Sequence, residues 1–259
     1  MSSFIHETAI VSPQAKIGAN CHIGAFSIIG DAVVLGDRVH LESHVVIDGT
    51  TEIGDDTHFY PFVSIGLAPQ DLKYGGEATR TEIGKRNHIR EFVTVHRGTA
   101  GGGGLTRIGD DNLLMAQAHV AHDCHIGNEV IMANAATLAG HVEIADRANI
   151  GAYSGVHQFC RIGLEAFVGG YSVVVKDAPP FATIQGNHAK CYGLNRVGMK
   201  RRGYAKESIE KLHRAYHLLL SAKLNTSQAV EKIKAEIKDC AEVDLLVEFI
   251  ETSKRGIVK

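Results

Sequence analysis

The sequence predicts a mainly β protein: a parallel β-helix of hexapeptide repeats with a C-terminal α-helical domain. Three observations carry this prediction. Apolar residues recur at every sixth position from Ile5 to Val174, with two interruptions. Small residues stand two positions before them, and glycine often stands just after. Beyond about Arg201 the apolar spacing changes to that of amphipathic helices.

The first run reads Ile5, Val11, Ile17, Ile23, Ile29, Leu35, Leu41, Ile47, Ile53, Phe59 and Ile65, and resumes in phase at Ile83, Ile89 and Val95. A second run, shifted by one residue, extends from Ile108 through Leu114, Val120 and Ile126 to Val174. All 26 positions are apolar and 25 are aliphatic. A period of six fits neither a helix nor a simple half-buried strand. It fits a short strand followed by a corner. Within the strand, residues i and i−2 share one face and i−1 takes the other. Three such strands close a coil of 18 residues, and coils stack as parallel strands about 4.8 Å apart. The i−2 residues of the second run, among them Ala118, Cys124, Ala136, Ala148 and Cys160, fit an interior where three walls converge. Gly after the aliphatic residue, as in Ile17-Gly18 and Ile126-Gly127, is expected to permit a tight turn.

The interruptions GLAPQDLKYGGEATRTE (66–82) and HRGTAGGGGLTR (96–107) are expected to leave the coil as loops. Long loops on a rigid scaffold commonly carry function. The GGGG run (101–104) lacks the Lys-Ser/Thr of a phosphate-binding loop and reads as flexible. The repeat is expected to stop at KDAPPFA, where Pro179 and Pro180 end sheet pairing. Residues 1–190 are therefore assigned to the β-helix and 191–259 to the helical domain. In the latter, Ile209, Leu212, Tyr216 and Leu219 share a face, Val230, Ile233 and Ile237 form a second stripe, and VDLLVEFIE (243–251) a third. The expected task of this domain is to cover the open end of the coil, whose strand edges would otherwise be exposed.

Bulk properties narrow the function. A net charge of -2 gives no sign of the basic face a nucleic-acid binder needs. The five cysteines lack CxxC spacing, which argues against a disulfide framework or a structural zinc site and for a reducing compartment. The N-terminal stretch MSSFIHETAI has no signal-like apolar core, and no apolar run approaches the roughly 20 residues of a membrane span. The expectation is a cytoplasmic protein without stable membrane insertion.

The stretch AHVAHDCHIGN (118–128) concentrates the chemistry. Cys124 stands at an i−2 position and reads as core, not as a nucleophile. His119 and His125 stand at i−1 and should face outward. His122 and Asp123 fall at the corner. Adding 18 places Gly140 beside His122 and His141 beside Asp123, with Gln158 a further coil on and His157 next to it. Such an edge is either a solvated, histidine-rich corner or a general-base site. Histidine as a residue type titrates near neutral pH, and an adjacent carboxylate orients the ring. A glycine amide one coil away, unshielded by a side chain, suits a developing oxyanion. No serine stands close enough in sequence to act as nucleophile. The substrate's own hydroxyl or amine would then attack directly, with no cofactor and no metal.

PQDLKY (69–74), HRGT (96–99), DNLLM and AHVAHDC within 111–124, ATLAGHV (136–142), VHQFC (156–160), QGNHA (185–189) and GLNRVGMKRRG (193–203) together resemble the UDP-N-acetylglucosamine 3-O-acyltransferases that open lipid A biosynthesis. The resemblance runs essentially end to end. It implies that the coil is left-handed and the protein a homotrimer with sites in clefts between neighbouring β-helices. It implies transfer of a 3-hydroxyacyl chain from acyl carrier protein to the sugar 3-hydroxyl. His122 would be the base, Asp123 its orienting acid, and the Gly140 amide the oxyanion donor. Asp71, Lys73, His119, His141, His157, Gln158 and His188 would line the sugar and acyl pocket. Asn195, Arg201 and Arg202 would hold the nucleotide. Paired arginines suit a diphosphate, though they also read as a basic helix start in solvent. Gly170 matches the position that ends the acyl groove, where a glycine leaves room for a longer chain than methionine. Val197 stands where some members carry an acidic residue near the nucleoside.

Other proteins use the same prism. A γ-type carbonic anhydrase would hold zinc with two histidines five apart and a third about two coils earlier, and the histidines at 119, 122, 125, 141 and 157 contain no such set. The N-acyltransferase of the same pathway would carry an extra N-terminal domain, whereas the hexads here begin at Ile5. A non-catalytic scaffold would lose nothing measurable when His122 is removed.

Overall fold

The computed structural model of the chain describes residues 3–221 and 223–259. Among them, the strands form three sheets of 11, 9 and 8 strands, and each sheet takes every third strand in turn. Pairing is parallel with an offset of one coil: Phe4 pairs His22, Ile10 pairs Ile28, and His119 pairs Thr137. The six-residue register is therefore a three-walled coil, as the spacing predicts.

From Ile23 to Val174 every aliphatic position of the two runs is buried to 3% exposure or less. Ile5 is 46% exposed, because it lies in the first coil with no coil beneath it. The i−2 residues line the same interior. Cys124 is fully buried, its Sγ donates to the Ala139 carbonyl at 3.1 Å, and burial pushes its thiol up to about 12. It is a core residue and not a nucleophile.

Two expectations about the coil need correction. The first concerns the turns. Positive φ recurs at most corners, largely on non-glycine residues: Asp111, Gln117, Asp123, Glu129, Ala135 and His141 have φ between 53° and 64°. The glycine after each aliphatic is needed for close stacking instead. A Cβ on Gly18 would lie 2.3 Å from the Gly36 carbonyl oxygen of the next coil. The second concerns the prolines. Pro179 and Pro180 interrupt pairing only briefly, since Ala182–Gln185 returns to the first sheet, parallel to Phe167–Val168. Lys190–Leu194 then pairs antiparallel with it.

The interruptions are also shorter than expected. Strands Ser64–Leu67 and Arg80–Ile83 bound the first, and Thr94–His96 and Leu105–Ile108 bound the second. Thr51, Thr81 and Thr106 stack inside as the i−2 residues of Ile53, Ile83 and Ile108, which extends those strands into the presumed loops.

Four helices follow: α1 (Arg196–Arg201), α2 (Lys206–Leu219), α3 (Thr226–Glu236) and α4 (Ala241–Glu251). The spacing predicts the last three, although Ile237 lies just past the end of α3. Asn195 caps α1 by accepting from the Gly198 N–H. Tyr216, fully buried on α2, donates to the Pro180 carbonyl, and Tyr204 packs edge-on against Phe181 at 5.8 Å. The helices thus cover the end of the coil and share one continuous core with it. No helix of the described residues is long and apolar enough to cross a membrane.

Candidate active site

The edge between the second and third sheets assembles the predicted cluster. Asp123 sits at the corner with a fully buried carboxylate. Its Oδ2 accepts from His122 Nδ1 at 2.8 Å and from Thr99 Oγ1 at 2.6 Å, while its Oδ1 accepts from the Thr99 N–H at 2.9 Å. The Asp123 N–H donates to Thr106 Oγ1 at 2.8 Å. A buried carboxylate is tolerated when its acceptor positions are filled in this way. The second loop supplies the filling. It makes a short turn at Ala100–Gly102, and a Cβ on Gly102 would fall 2.0 Å from Asp123 Cγ. Gly102 of the glycine run is therefore fitted against Asp123, while Gly101 and Gly103 face open space.

With Nδ1 committed to Asp123, Nε2 of His122 has no partner among the described residues. The ring lies against Gly140: a Cβ there would meet His122 Cε1 at 2.5 Å and Nε2 at 2.8 Å. Only glycine fits at this approach. The Gly140 N–H likewise meets no acceptor among the described residues. The edge thus presents a fixed imidazole nitrogen and an unspent backbone donor side by side, the pair that general-base acyl transfer would need.

Other histidines surround them. His141 stands edge-on to His122 at 5.1 Å, stacks on Phe159 at 4.4 Å, and brings Nδ1 within 3.9 Å of Asp123 Oδ2. Its pKa is lowered, chiefly by burial, with Asp123 opposing. His119 is held by Thr94 Oγ1 at 2.7 Å, and burial and the neighbouring His122 depress it. His96 is more buried still, at 8% exposure, and burial pushes it down to about 4. All three are neutral near pH 7.

A cleft of about 520 Å³ opens from this edge. Gln70, His96, His119, His122 and His157 form its polar head, and Leu138, Val156, Val173 and Val175 give it an apolar floor. Arg255, just beyond α4, brings Nη2 to 3.3 Å from His157 Nδ1. Asp71 and Lys73 lie in the first loop, where Asp71 Oδ1 accepts the Lys73 N–H at 3.0 Å. Gln70 of the same loop lines the cleft, so this loop lies near the site. Gln158 is exposed at the corner one coil beyond Gly140.

The remaining predicted residues are elsewhere in the chain. Gly170 sits on a different edge, beside the Ala152 carbonyl, and does not line the cleft. His188 is exposed between the last two strands. Asn195 uses Oδ1 for its helix cap, and its Nδ2 lies 3.4 Å from the Glu165 carbonyl oxygen. Arg202 pairs with Glu129 at 3.2 Å on the edge between the third and first sheets, and Arg201 is exposed beside it. One chain therefore separates the histidines from the arginines by a wall of the prism.

Sequence reasoning missed Gln70, His96, Thr99, Gly102 and Arg255. Thr99 and His96 lie inside HRGT, but nothing in the period of six places a loop residue over a corner. The site could in principle hold a metal, since donor atoms of His122, Asp123 and His141 lie within 4.8 Å of one another. Three of roughly four acceptor positions on Asp123 are already taken by hydrogen-bond donors, so a metal would have to displace His122 or Thr99.

Comparison with known proteins identifies the family. Residues 177–258 match the second domain of UDP-N-acetylglucosamine O-acyltransferase, and residues 14–49 and 105–140 match the bacterial transferase hexapeptide. LpxA of Acinetobacter baumannii is 44% identical over 99% of this chain and 100% of that one, with a TM-score of 0.97. LpxA of Bacteroides fragilis, a UDP-N-acetylglucosamine acyltransferase, is 41% identical over 99% and 100%, with a TM-score of 0.96. The Arabidopsis UDP-N-acetylglucosamine acyltransferase is 32% identical over 99% and 100%, at 0.87. The coil shares the left-handed winding of these proteins, and neither a carbonic anhydrase nor an inert scaffold accounts for such agreement along the whole length. The chain belongs to the UDP-N-acetylglucosamine O-acyltransferase family.

Proposed function

We propose that the chain transfers a 3-hydroxyacyl group from acyl carrier protein to the 3-hydroxyl of UDP-N-acetylglucosamine, the first step of lipid A biosynthesis, in the cytoplasm. One observation carries the reading: His122 is fixed through Nδ1 by a buried aspartate, and its other nitrogen faces the open cleft beside the Gly140 N–H.

The step follows from those positions. Nε2 takes the proton of the sugar hydroxyl as the oxygen attacks the thioester carbonyl. Asp123 stabilises the imidazolium that forms. The carbonyl oxygen becomes an oxyanion, which the Gly140 amide meets. Collapse expels the thiolate of the carrier, and the imidazolium returns the proton to it. No acyl-enzyme, cofactor or metal enters. Asp71, Lys73, His119, His141, His157, Gln158 and His188 line the sugar and acyl pocket, and Gly170 bounds the acyl chain. Asn195, Arg201 and Arg202 hold the nucleotide.

Those arginines and Gly170 lie on other edges of the prism, so the reading requires a second copy of the chain. A homotrimer with heterologous contacts sets unlike edges of neighbouring chains face to face. The cleft between two chains would then contain both halves.

The test is purified protein with UDP-N-acetylglucosamine and 3-hydroxyacyl carrier proteins of several lengths. Ester product, lost in His122→Ala without loss of the trimer, supports the reading. Near-normal turnover by His122→Ala refutes the general-base role.

A further inference from the structure

A second group of histidines lies on the outer face of the first sheet, in coils on the N-terminal side of the one that carries His122. His22, His40, His58 and His88 take equivalent strand positions in successive coils, so the register stacks their rings. His22 and His40 lie 4.3 Å apart and nearly parallel, and His40 and His58 lie 4.4 Å apart. Glu42 follows the His40–Leu41 strand by one residue and turns back across them. Its Oε1 is 3.4 Å from His40 Nε2 and 3.1 Å from His58 Nε2.

Donor atoms of His40, Glu42 and His58 lie within 4.8 Å of one another. A tetrahedral zinc ion with bonds of about 2.0–2.1 Å has ligand-to-ligand edges of about 3.3 Å. The two nitrogen-to-oxygen separations match those edges. Both imidazoles offer the same nitrogen to one point, and the side chains are between 25% and 41% exposed, so a hydrated ion can reach them. Two imidazoles and a carboxylate suit a borderline divalent ion, with water completing the shell.

We infer that His40, Glu42 and His58 form a binding site for a divalent transition-metal ion of the zinc class, separate from acyl transfer. It ties two adjacent coils together, because His40 and His58 belong to neighbouring strands of one sheet. Its effect is on stability, since an ion that binds only the folded chain shifts unfolding by mass action.

The test uses the full chain, stripped with chelator and titrated with Zn(II) against a chromophoric competitor. One zinc per chain is expected, together with a rise of several degrees in Tm. Both are lost in His40→Ala and in Glu42→Gln, which keeps the side chain's size, while acyl transfer is unchanged in each. Co(II) in place of zinc should give the visible absorption of a tetrahedral site. Equal zinc binding by wild type and both variants overturns the proposal. So does the absence of zinc at micromolar free metal, and so does zinc that is lost only in His122→Ala.

Discussion

At the scale of single residues, the site depends on a crowded contact and a buried charge. Gly140 leaves no room for a Cβ, because the His122 ring occupies that space. Gly140→Ala must therefore move the imidazole, and a displacement of about 1 Å costs on the order of 10²-fold in rate. Steady-state kinetics should show that loss in kcat, with Tm close to wild type; unchanged kcat would mean that the ring has room to shift. His96 makes a different prediction. It is buried, its Nδ1 lacks a partner, and its pKa falls to about 4, against about 6.5 in an unfolded chain. Between those values the unfolded state binds the extra proton. The contribution of His96 is thus fully present above pH 6.5 and is lost as pH falls towards 4, by about 3 kcal/mol at most. His119 and His141, both lowered, act in the same direction, as do paired carboxylates such as Asp111 and Glu82. Urea unfolding at pH 7 and pH 4 separates them: His96→Phe should lose less stability than wild type over that range, and equal losses would assign the acid sensitivity to the other groups.

At the scale of elements, the hexad is legible because burial enforces it. Each aliphatic points into a closed prism, and a slip of one residue would turn it out to solvent. That is why Cys124 could be placed inside, and His122 and Asp123 at a corner, from spacing alone. Features set by contact between coils were not legible. Glycine after the aliphatic has a familiar meaning as a turn former, yet the turns place positive φ on Asp123 and His141. The glycine is there because the neighbouring coil approaches too closely for a Cβ. Gly84 shows this most directly: a Cβ would lie 2.2 Å from Asp110 Oδ1 and 2.6 Å from the Gly109 carbonyl oxygen. Gly84→Ala should destabilise by about 1–3 kcal/mol through overpacking, read as a lower denaturation midpoint with unchanged m. A turn-forming role alone would predict little change, since Gly84 does not adopt positive φ. The seating of Thr99 and Gly102 on Asp123 was hidden for the same reason, because a loop's landing point depends on three dimensions and not on period.

At the scale of the whole molecule, the prism distributes its chemistry over separate edges. His122, Asp123 and Gly140 occupy one edge, Arg202 pairs with Glu129 on another, and Gly170 lies on the third. No rearrangement of one rigid coil brings them together, because the wall between them is packed core. If function needs both the base and the arginines, neighbouring chains must share each site. Two crippled chains would then rescue each other. On the proposed reading His122→Ala removes the base and Arg202→Ala the nucleotide contact, so each variant alone should be weak or inactive. Unfolded together in equal amounts and refolded, they assemble at random. In every mixed trimer one of the three interfaces pairs an intact His122 with an intact Arg202, which restores about a quarter of wild-type sites. Activity near that level, appearing only after joint refolding, would establish the shared site. Activity no greater than the sum of the two separate variants would mean that each chain works alone, and that Arg202 serves only its pair with Glu129.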